Sequence, residues 1–194
     1  LSLHDALPIF NKMDHPDLSV RATLESLQNL SSHPLVLREI PIREGEKITG
    51  FVDLVSERAF RWQEGKPSDL ISLPDSVTDR EQEARTGMLE SLADYDDHLL
   101  EELLEDIIPS SEEIYNSLSN DLKNSYIVPV FFGSAEQDNG IRRVLKALRH
   151  EAPEASATAQ RLGIEADGGG TVAQVFKTVH AGHAGKMSFA RVWR

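Results

Sequence analysis

The sequence predicts an α/β fold, and three observations support this prediction. Residues 126–132, YIVPVFF, form an almost continuous apolar run, which is typical of a strand buried on both faces. A loop and an amphipathic helix over residues 141–150 follow this run, as in a strand–loop–helix unit. A second strand is predicted to end at Phe10, just before the polar segment NKMD. We therefore expect loops at the carboxyl ends of two buried strands, where ligands bind in α/β sheets.

The first part of the chain is predicted to contain a helix and a small antiparallel sheet. Residues 18–30 are assigned to the helix because apolar side chains recur there at helical spacing. These side chains are Leu18, Ala22, Leu27 and Leu30. Short β-branched or aromatic runs follow, separated by polar breaks that contain Gly, Glu and Ser. The runs are residues 35–42, 51–55 and 59–62, and Trp62 is predicted to close the sheet.

Helices are predicted to fill the middle of the chain. Two segments begin with a capping-box signature, Thr78 with Glu81 and Ser110 with Glu113. An apolar stripe follows each signature. The stripe residues are Ala84, Met88, Leu92, Leu99 and Leu103 in the first, acidic segment, and Ile114, Leu118 and Leu122 in the second.

The last part of the chain is predicted to begin a second domain. Residues 151–170 are rich in Ala, Glu, Ser and Gly, and we assign them to a linker. Residues 172–178 and 186–193 predict two strands around the segment HAGHAG. Because two strands alone do not make a stable unit, we expect this domain to continue beyond Arg194.

Composition and charge exclude several classes of function. The chain has 32 acidic and 20 basic residues, a formal net charge of −12 and no cysteine. The absence of cysteine excludes disulfides, thiolate zinc sites and cysteine nucleophiles. Charged residues interrupt every apolar run before the roughly 18 residues that a membrane-spanning helix needs. The acidic balance disfavours binding to DNA or to a membrane surface, so we predict a cytoplasmic protein without either partner.

Residues 1–9 differ in character from the rest of the chain. LSLHDALPI has no clear hydrophobic period. Back-translated with ordinary codons, it resembles a common adapter oligonucleotide of short-read DNA libraries. We interpret these residues as a non-native, adapter-derived segment, with a genuine N-terminal tail as the alternative. On the first interpretation the biological chain continues upstream of Phe10.

The segment NKMD has the chemistry to recognise a guanine base. The Asp14 carboxylate can accept N1–H and the exocyclic amine of guanine, which adenine does not offer. The Lys12 stem can cover the purine face, and Asn11 can anchor a neighbouring loop. Gly133, followed by Ser134 and Ala135, ends the buried strand, and such small residues let backbone N–H groups approach guanine O6. Taken alone, NKMD is weak evidence for this chemistry, and the alternative is a polar helix start capped by Asp14.

Four segments in order resemble the bacterial elongation factor G family of translational GTPases. They are NKMD, PLVLREIPIREGEKITGFVDLVSERAFRW, VPVFFGSAEQDNGIRRVLKAL and VAQVFKTVHAGHAGKMSFARVW. The resemblance covers Phe10 to Arg194 and points to an elongation factor G-like member. One loop departs from the family pattern, because residues 136–140 read EQDNG where the family has a basic residue followed by Asn-Lys-Gly. This departure indicates a divergent subgroup.

The resemblance implies a fold and a nucleotide site. Residues 10–150 would be the C-terminal part of a P-loop GTPase domain, with an inserted α+β subdomain at about 34–125. Residues 171–194 would be the first strands of a truncated β-barrel second domain. The base of GTP or GDP would be held by Asn11, Lys12, Asp14, Ser134 and Ala135. The intact protein would bind and hydrolyse GTP on the ribosome in elongation, and its acidic inserted subdomain would meet the ribosomal stalk protein.

The chain lacks the groups that bind and cleave phosphates. It contains no G-x-x-x-x-G-K-[ST] segment, because Gly185 and Lys186 are followed by Met187. Asp167 to Gly170 fits D-x-x-G by chance, since it lies in the predicted linker. The Mg²⁺ ligands and the catalytic groups would lie upstream in a complete relative. We expect no catalytic residue, no metal site and no GTP hydrolysis in this chain.

Other interpretations stay open at this point. The chain could be a standalone acidic adaptor that binds proteins, or part of another translational GTPase such as a release factor or a ribosomal protection protein. His180 and His183 could bind a metal, but a hairpin loop explains them better. The acidic cluster lacks the calcium-binding pattern and is assigned to a solvated helix face, with docking of a basic partner as the alternative. Its members are Asp94, Asp96, Asp97, Glu101, Glu102, Glu105 and Asp106.

Overall fold

A computed structural model describes residues 8–15, 18–164 and 168–194 of the chain. The chain divides between Ala152 and Pro153 into two compact units. Of the segment interpreted as non-native, residues 1–7 lie outside the described part. Ile9, which that interpretation leaves out of the fold, pairs with Phe131 in the first strand. The origin of residues 1–9 stays a prediction.

The first unit contains two sheets and five α-helices among the described residues. Its strands are β1 Ile9–Phe10, β2 Leu35–Leu37, β3 Glu39–Glu44, β4 Lys47–Asp53, β5 Arg58–Gln63, β6 Lys66–Ile71 and β7 Val128–Phe132. Its helices are α1 Val20–Gln28, α2 Thr78–Ala93, α3 Asp97–Leu104, α4 Ser111–Asn124 and α5 Ile141–Glu151. The predicted α/β fold is confirmed.

A parallel sheet of three strands has the order β1-β7-β2. β7 is buried along its whole length, as the apolar run predicts. β1 pairs with it through Phe10 and Phe132, and β2 pairs with it through Leu35 and Val128. The prediction that residues 35–42 form one antiparallel strand is wrong, because β2 joins the parallel sheet and only β3 joins the antiparallel one. Hydrophobicity alone does not distinguish these two partners.

The antiparallel sheet has four strands in the order β3-β4-β5-β6. The prediction that Trp62 closes this sheet is wrong, because β6 pairs with β5 and forms the edge. β6, with the sequence KPSDLI, is exposed along most of its length. It therefore lacks the apolar alternation by which a half-buried strand is recognised, and its Pro67 suits an edge position.

Helix α1 buries a different face from the predicted one. Val20 is buried, and Leu18 and Leu24 pack against the same apolar cluster. Leu30, which the prediction assigns to the buried stripe, lies beyond the helix and is 80% exposed. Ser19 caps the helix by accepting a hydrogen bond from the backbone N–H of Ala22 at 3.3 Å.

The two predicted capping boxes have different outcomes. Ser110 and Glu113 form a complete capping box at the start of α4. Thr78 and Glu81 do not form one, because a 3₁₀ turn over residues 75–77 leads directly into α2 and Val77 occupies the cap position. The apolar stripes themselves are confirmed, since Met88, Leu92, Leu99, Ile114, Leu118 and Leu122 are buried. The acidic segment is two helices, separated at residues 94–96.

A buried ion pair lies where the chain passes from the parallel to the antiparallel sheet. Arg38, between β2 and β3, is fully buried and forms a bidentate pair with Glu151 at the end of α5. Its backbone N–H donates to the carbonyl of Val130 in β7 at 3.1 Å, and its carbonyl accepts from Leu54 N–H at 3.1 Å. One residue therefore connects both sheets and the last helix of the unit.

A second buried ion pair lies next to the first. Arg143 of α5 contacts Asp53 at the end of β4, with 2.5 Å between Nη2 and Oδ2. The guanidinium groups of Arg38 and Arg143 both lie over the Phe131 ring, 5.5 and 5.6 Å from its centre. Glu39 is also buried, and its Oε1 accepts the backbone N–H of Phe132 at 3.1 Å. Burial raises the pKa of Glu39 to about 7, although the charge of Arg143 opposes this shift.

The second unit contains a short helix and a two-stranded antiparallel sheet. Helix α6, Ala155–Arg161, lies within the predicted linker, which is therefore not wholly irregular. Strands β8, Ala173–His180, and β9, Lys186–Val192, pair as predicted around the HAGHAG segment. In the described part of the chain, no helix combines the length and the apolar character needed to cross a membrane.

Asp121 of α4 carries a carboxylate that is fully buried. Neither of its carboxylate oxygens has a partner at hydrogen-bond distance, and the neighbouring Asn120 side chain opposes the effect of burial on its pKa only in part. Burial raises the pKa of Asp121 to about 6, above its usual value of 3.8. Because the folded chain holds this proton more tightly than the unfolded chain, the group costs no stability below about pH 4 and its full cost applies above about pH 6.

We expect Asp121→Asn to stabilise the chain at pH 7 by about 1–3 kcal/mol, because a neutral amide of the same size removes the buried charge. The gain should shrink towards zero as the pH falls from about 6 to about 4. Urea unfolding across this range measures it. Glu90→Gln, the same charge change at an exposed position of α2, is the control and should have little effect. A gain that does not depend on pH would contradict the assignment.

Candidate functional site

Two polar loops meet at the carboxyl ends of β1 and β7. These strands are parallel neighbours, so the segment after Phe10 lies beside the segment after Phe132. Gly133 N–H donates to the carbonyl of Phe10 at 2.9 Å, and Met13 N–H donates to the carbonyl of Gly133 at 3.0 Å. The structure therefore brings the two predicted groups of site residues together. One group is Asn11, Lys12 and Asp14, and the other is Ser134 and Ala135.

Asn11 holds the two loops together through its side chain. Its Oδ1 accepts the backbone N–H of Lys12 at 2.8 Å and that of Ala135, on the other loop, at 2.9 Å. Lys12 adopts a left-handed conformation, with φ of 63°. A non-glycine residue rarely adopts this conformation unless its surroundings fix it, and such residues are frequent at functional sites. The Lys12 side chain is left exposed at the surface of the loop.

Asp14 carries a carboxylate whose pKa the opposite loop lowers. The largest cause of this shift is a hydrogen-bonding interaction with the side chain of the buried Ser134. The backbone N–H of Asp14 and the charges of His15 and Lys12 act in the same direction. A carboxylate has about four acceptor positions, so Asp14 retains acceptor capacity after its bond to Ser134. The Asp14 side chain lies partly exposed.

The loop after β7 is closed on itself by close backbone packing. Ser134 and Asn139 exchange two backbone hydrogen bonds of 3.0 Å each. A Cβ on Gly133 would lie 2.3 Å from the carbonyl oxygen of Asn139, and one on Gly140 would lie 2.5 Å from that of Phe132. Gly140 also has a φ of 79°, which favours glycine. The two glycines therefore let the loop turn back against the end of its own strand.

The backbone N–H groups at the start of this loop already have hydrogen-bond partners, contrary to the expectation from the sequence. The sequence predicts that those of residues 133–135 are available to a base oxygen. Instead, Gly133 donates to Phe10, Ser134 to Asn139 and Ala135 to the side chain of Asn11. An acceptor at this position would have to share or replace the bond between Ala135 and Asn11. The small residues thus allow the loops to pack closely against each other.

The sequence analysis does not assign three further residues to the site. Met13 is 2% exposed and anchors the NKMD turn in the apolar cluster below it. Asn139 and Gly140 close the second loop. The NG pair is a turn signal, so Asn139 and Gly140 could have been found, whereas nothing in the sequence distinguishes Met13 from a solvent-exposed residue of a loop.

Two other sequence candidates stay apart from this site. Asp167 of the formal D-x-x-G lies outside the described residues. His180 and His183 lie in and after β8 of the second unit, and among the described residues they do not belong to any group of three metal-ligating side chains.

The fold and the arrangement of the two loops indicate the class of protein, and similarity to other proteins indicates the family. A parallel sheet and a separate antiparallel sheet, with two polar loops joined at the carboxyl ends of adjacent parallel strands, define an α/β protein with a candidate ligand site at the end of its parallel sheet. No family model matches the chain. Individual relatives do match it, and they are named elongation factor G-like protein and elongation factor G.

The similarity extends along almost the whole chain. An elongation factor G-like protein from Synechocystis is 43% identical over 189 residues, which cover 97% of this chain. An elongation factor G from Fervidobacterium nodosum is 26% identical over 200 residues, which cover 96% of this chain. A crystal structure of a protein from Thermus thermophilus has a TM-score of 0.73 and 26% sequence identity over 96% of this chain. The resemblance is therefore confirmed, and the chain belongs to the elongation factor G family.

The chain corresponds to only a part of these proteins. It spans 28% of the Synechocystis relative, 29% of the Fervidobacterium relative and 27% of the Thermus chain. The activities and partners of the full-length relatives are therefore only proposed for this chain.

We expect Gly133→Ala to destabilise the chain by about 1–3 kcal/mol, because the added methyl group would overlap the Asn139 carbonyl and force the loop open. Hydrogen exchange at the Ala135 N–H should accelerate, since this group bonds across the two loops. Gly87→Ala is the matched control. Gly87 lies in α2 with no atom within 4 Å of its added Cβ, so this change should stabilise by about 0.5–1 kcal/mol. Equal effects of both changes would contradict the close packing.

Proposed function

We propose that this chain supplies the guanine-recognition half of the nucleotide site of an elongation factor G-like translation factor. The observation that carries the proposal is the junction of the two loops through Asn11 and Ala135, which brings Asp14 close enough to Ser134 and Lys12 for both to lower its pKa. The similarity to elongation factor G proteins along 96–97% of the chain supports the same assignment.

The chemistry of this arrangement favours guanine over adenine. An ionised carboxylate accepts hydrogen bonds and donates none, so it pairs with the adjacent N1–H and amino groups of guanine. Adenine presents an unprotonated N1 at the equivalent position and would be repelled. The Lys12 stem would lie over the ring, and Asn11 would keep the two loops in register through its bond to Ala135. The five site residues would give specificity for the base and perform no chemistry. They are Asn11, Lys12, Asp14, Ser134 and Ala135.

Phosphate binding and hydrolysis would need groups that these five residues do not offer. The sequence contains no G-x-x-x-x-G-K-[ST] phosphate loop. Base contacts alone contribute about 2–5 kcal/mol, which corresponds to roughly millimolar affinity or weaker. We therefore propose that a full-length relative of this chain binds GTP or GDP with Mg²⁺ held by residues outside the segment that this chain spans, and that it hydrolyses GTP on the ribosome during elongation.

The acidic inserted subdomain would contribute a protein contact. Helix α3 and the residues after it expose large apolar side chains among carboxylates, including Leu104 at 76% and Ile108 at 81% exposure. Such a mixed surface suits an amphipathic protein partner that carries basic residues. We propose the ribosomal stalk protein for this role, in a cytoplasmic protein without a membrane or DNA partner.

We expect Asp14→Asn to change the preferred base from guanine to xanthine. The amide carbonyl can still accept N1–H, but the amide NH₂ would donate to xanthine O2 and would oppose the amino group of guanine. Amide chemical shifts of Lys12, Asp14 and Ala135 should move with millimolar GDP, but not with ADP, in the unmodified chain. In the variant, affinity for GDP should fall about tenfold or more, and xanthosine diphosphate should bind better than GDP.

Asp138→Asn is the matched control, because Asp138 is exposed in the second loop and has a left-handed conformation that Asn tolerates. It should retain the preference of the unmodified chain. Equal shifts with GDP and ADP, or none with either, would contradict base recognition and would favour the acidic adaptor that binds only proteins.

A further inference from the structure

Three metal-ligating side chains come together where side chains of α3 approach the start of α4. His98 and Glu102 are four residues apart on α3, which places them on one face of the helix. Glu113 comes from the first turn of α4. One ligand atom of each residue lies within 4.8 Å of the others. Among the described residues, this is the only group of three or more such side chains with this geometry.

One of these carboxylates is incompletely satisfied. Oε2 of Glu102 is buried and has no hydrogen-bond partner. A buried carboxylate oxygen without a partner costs free energy, unless a donor or a cation compensates for it. In the described part of the chain, neither Glu102 nor Glu113 forms an ion pair with a basic side chain.

The other polar groups around this cleft are arranged to support the three side chains. Asp96 caps α3 by accepting Leu99 N–H and also accepts a hydrogen bond from the Ser117 hydroxyl at 2.6 Å. Both of its carboxylate oxygens therefore already have a hydrogen-bond partner. Glu113 accepts Ser110 N–H through Oε2 at 2.8 Å, as part of the capping box at the start of α4. The residues that line the cleft include no lysine or arginine. A cation would therefore meet an uncompensated negative site.

We propose that His98, Glu102 and Glu113 bind a divalent transition-metal ion, with Zn²⁺ as the probe ion. One imidazole and two carboxylates form a nitrogen and oxygen donor set that suits Zn²⁺, whereas Ca²⁺ and Mg²⁺ prefer oxygen ligands alone. In a tetrahedral zinc site the ligand atoms lie about 3.3 Å apart, so small rotations of these side chains would close the observed spacing. A water molecule would complete the coordination.

The ion would fix α3 against α4. α3 has eight residues, and it packs on the core of the unit through the buried Leu99 and the partly buried Leu103. Two ligands on α3 and one on α4 would clamp the helix that carries the exposed apolar and acidic surface. No sequence motif predicts this site, because Glu113 lies well beyond Glu102 in a different helix.

The test is a Zn²⁺ titration of the tag-free, chelator-treated chain by calorimetry, with the thermal unfolding midpoint measured in parallel. We expect one saturable site and a midpoint that rises with Zn²⁺. His98→Gln and Glu102→Gln should each weaken Zn²⁺ binding by about tenfold or more. Because Glu102→Gln also removes the unpartnered charge, it should not destabilise the metal-free chain.

Two matched controls separate this site from other binding. Glu101→Gln makes the same charge change at the neighbouring exposed position of α3, and it should retain Zn²⁺ binding within about twofold. His183→Gln removes an imidazole of the second unit, and it should also retain binding. The proposal is overturned by no saturable binding up to about 1 mM Zn²⁺, by unchanged affinity in His98→Gln, by loss of binding in His183→Gln, or by equal binding of Ca²⁺.

Discussion

The first unit depends on how it accommodates the buried charge of Arg38. A guanidinium group cannot lose its charge, so its burial is tolerated only when a carboxylate and hydrogen bonds compensate for it. Glu151 provides the carboxylate from the far end of α5, 113 residues away in the sequence. Because the Arg38 backbone also bonds to Val130 in β7 and to Leu54 after β4, this pair can form only when both sheets and α5 are in place. The second pair, Arg143 with Asp53, likewise forms only when α5 lies against the end of β4.

This constraint positions the candidate site through β7. Glu39, one residue after Arg38, accepts the backbone N–H of Phe132, the last residue of β7. The loop that begins at Gly133 therefore starts from a strand end whose position the buried charges fix. Asn11 then attaches the NKMD turn to this loop, and Ser134 in this loop lowers the pKa of Asp14. A rigid scaffold beneath two short loops is the arrangement that precise recognition of a planar ligand requires.

Much of this structure could be predicted from sequence because the relevant signals are local. The buried run of β7, the capping box at Ser110 and the i+4 stripes of α2 and α4 each identify their element. The two site loops could be placed together because parallel strands end at the same sheet edge. β6 and the separate pairing of β2 could not be predicted, since one is polar and the other depends on a distant partner. The buried ion pairs could not be predicted either, because nothing near Arg38 in the sequence indicates Glu151.

We infer that the Arg38–Glu151 pair holds the two sheets and α5 together. A double-mutant cycle with Arg38→Met and Glu151→Leu, measured as free energies of unfolding in urea, tests it most directly. We expect each single change to cost about 3–5 kcal/mol, because it leaves one charge buried alone, and the double change to cost far less than the sum. Two single changes that each cost under about 1 kcal/mol and simply add would contradict it, since they would show that the two groups are solvated and independent.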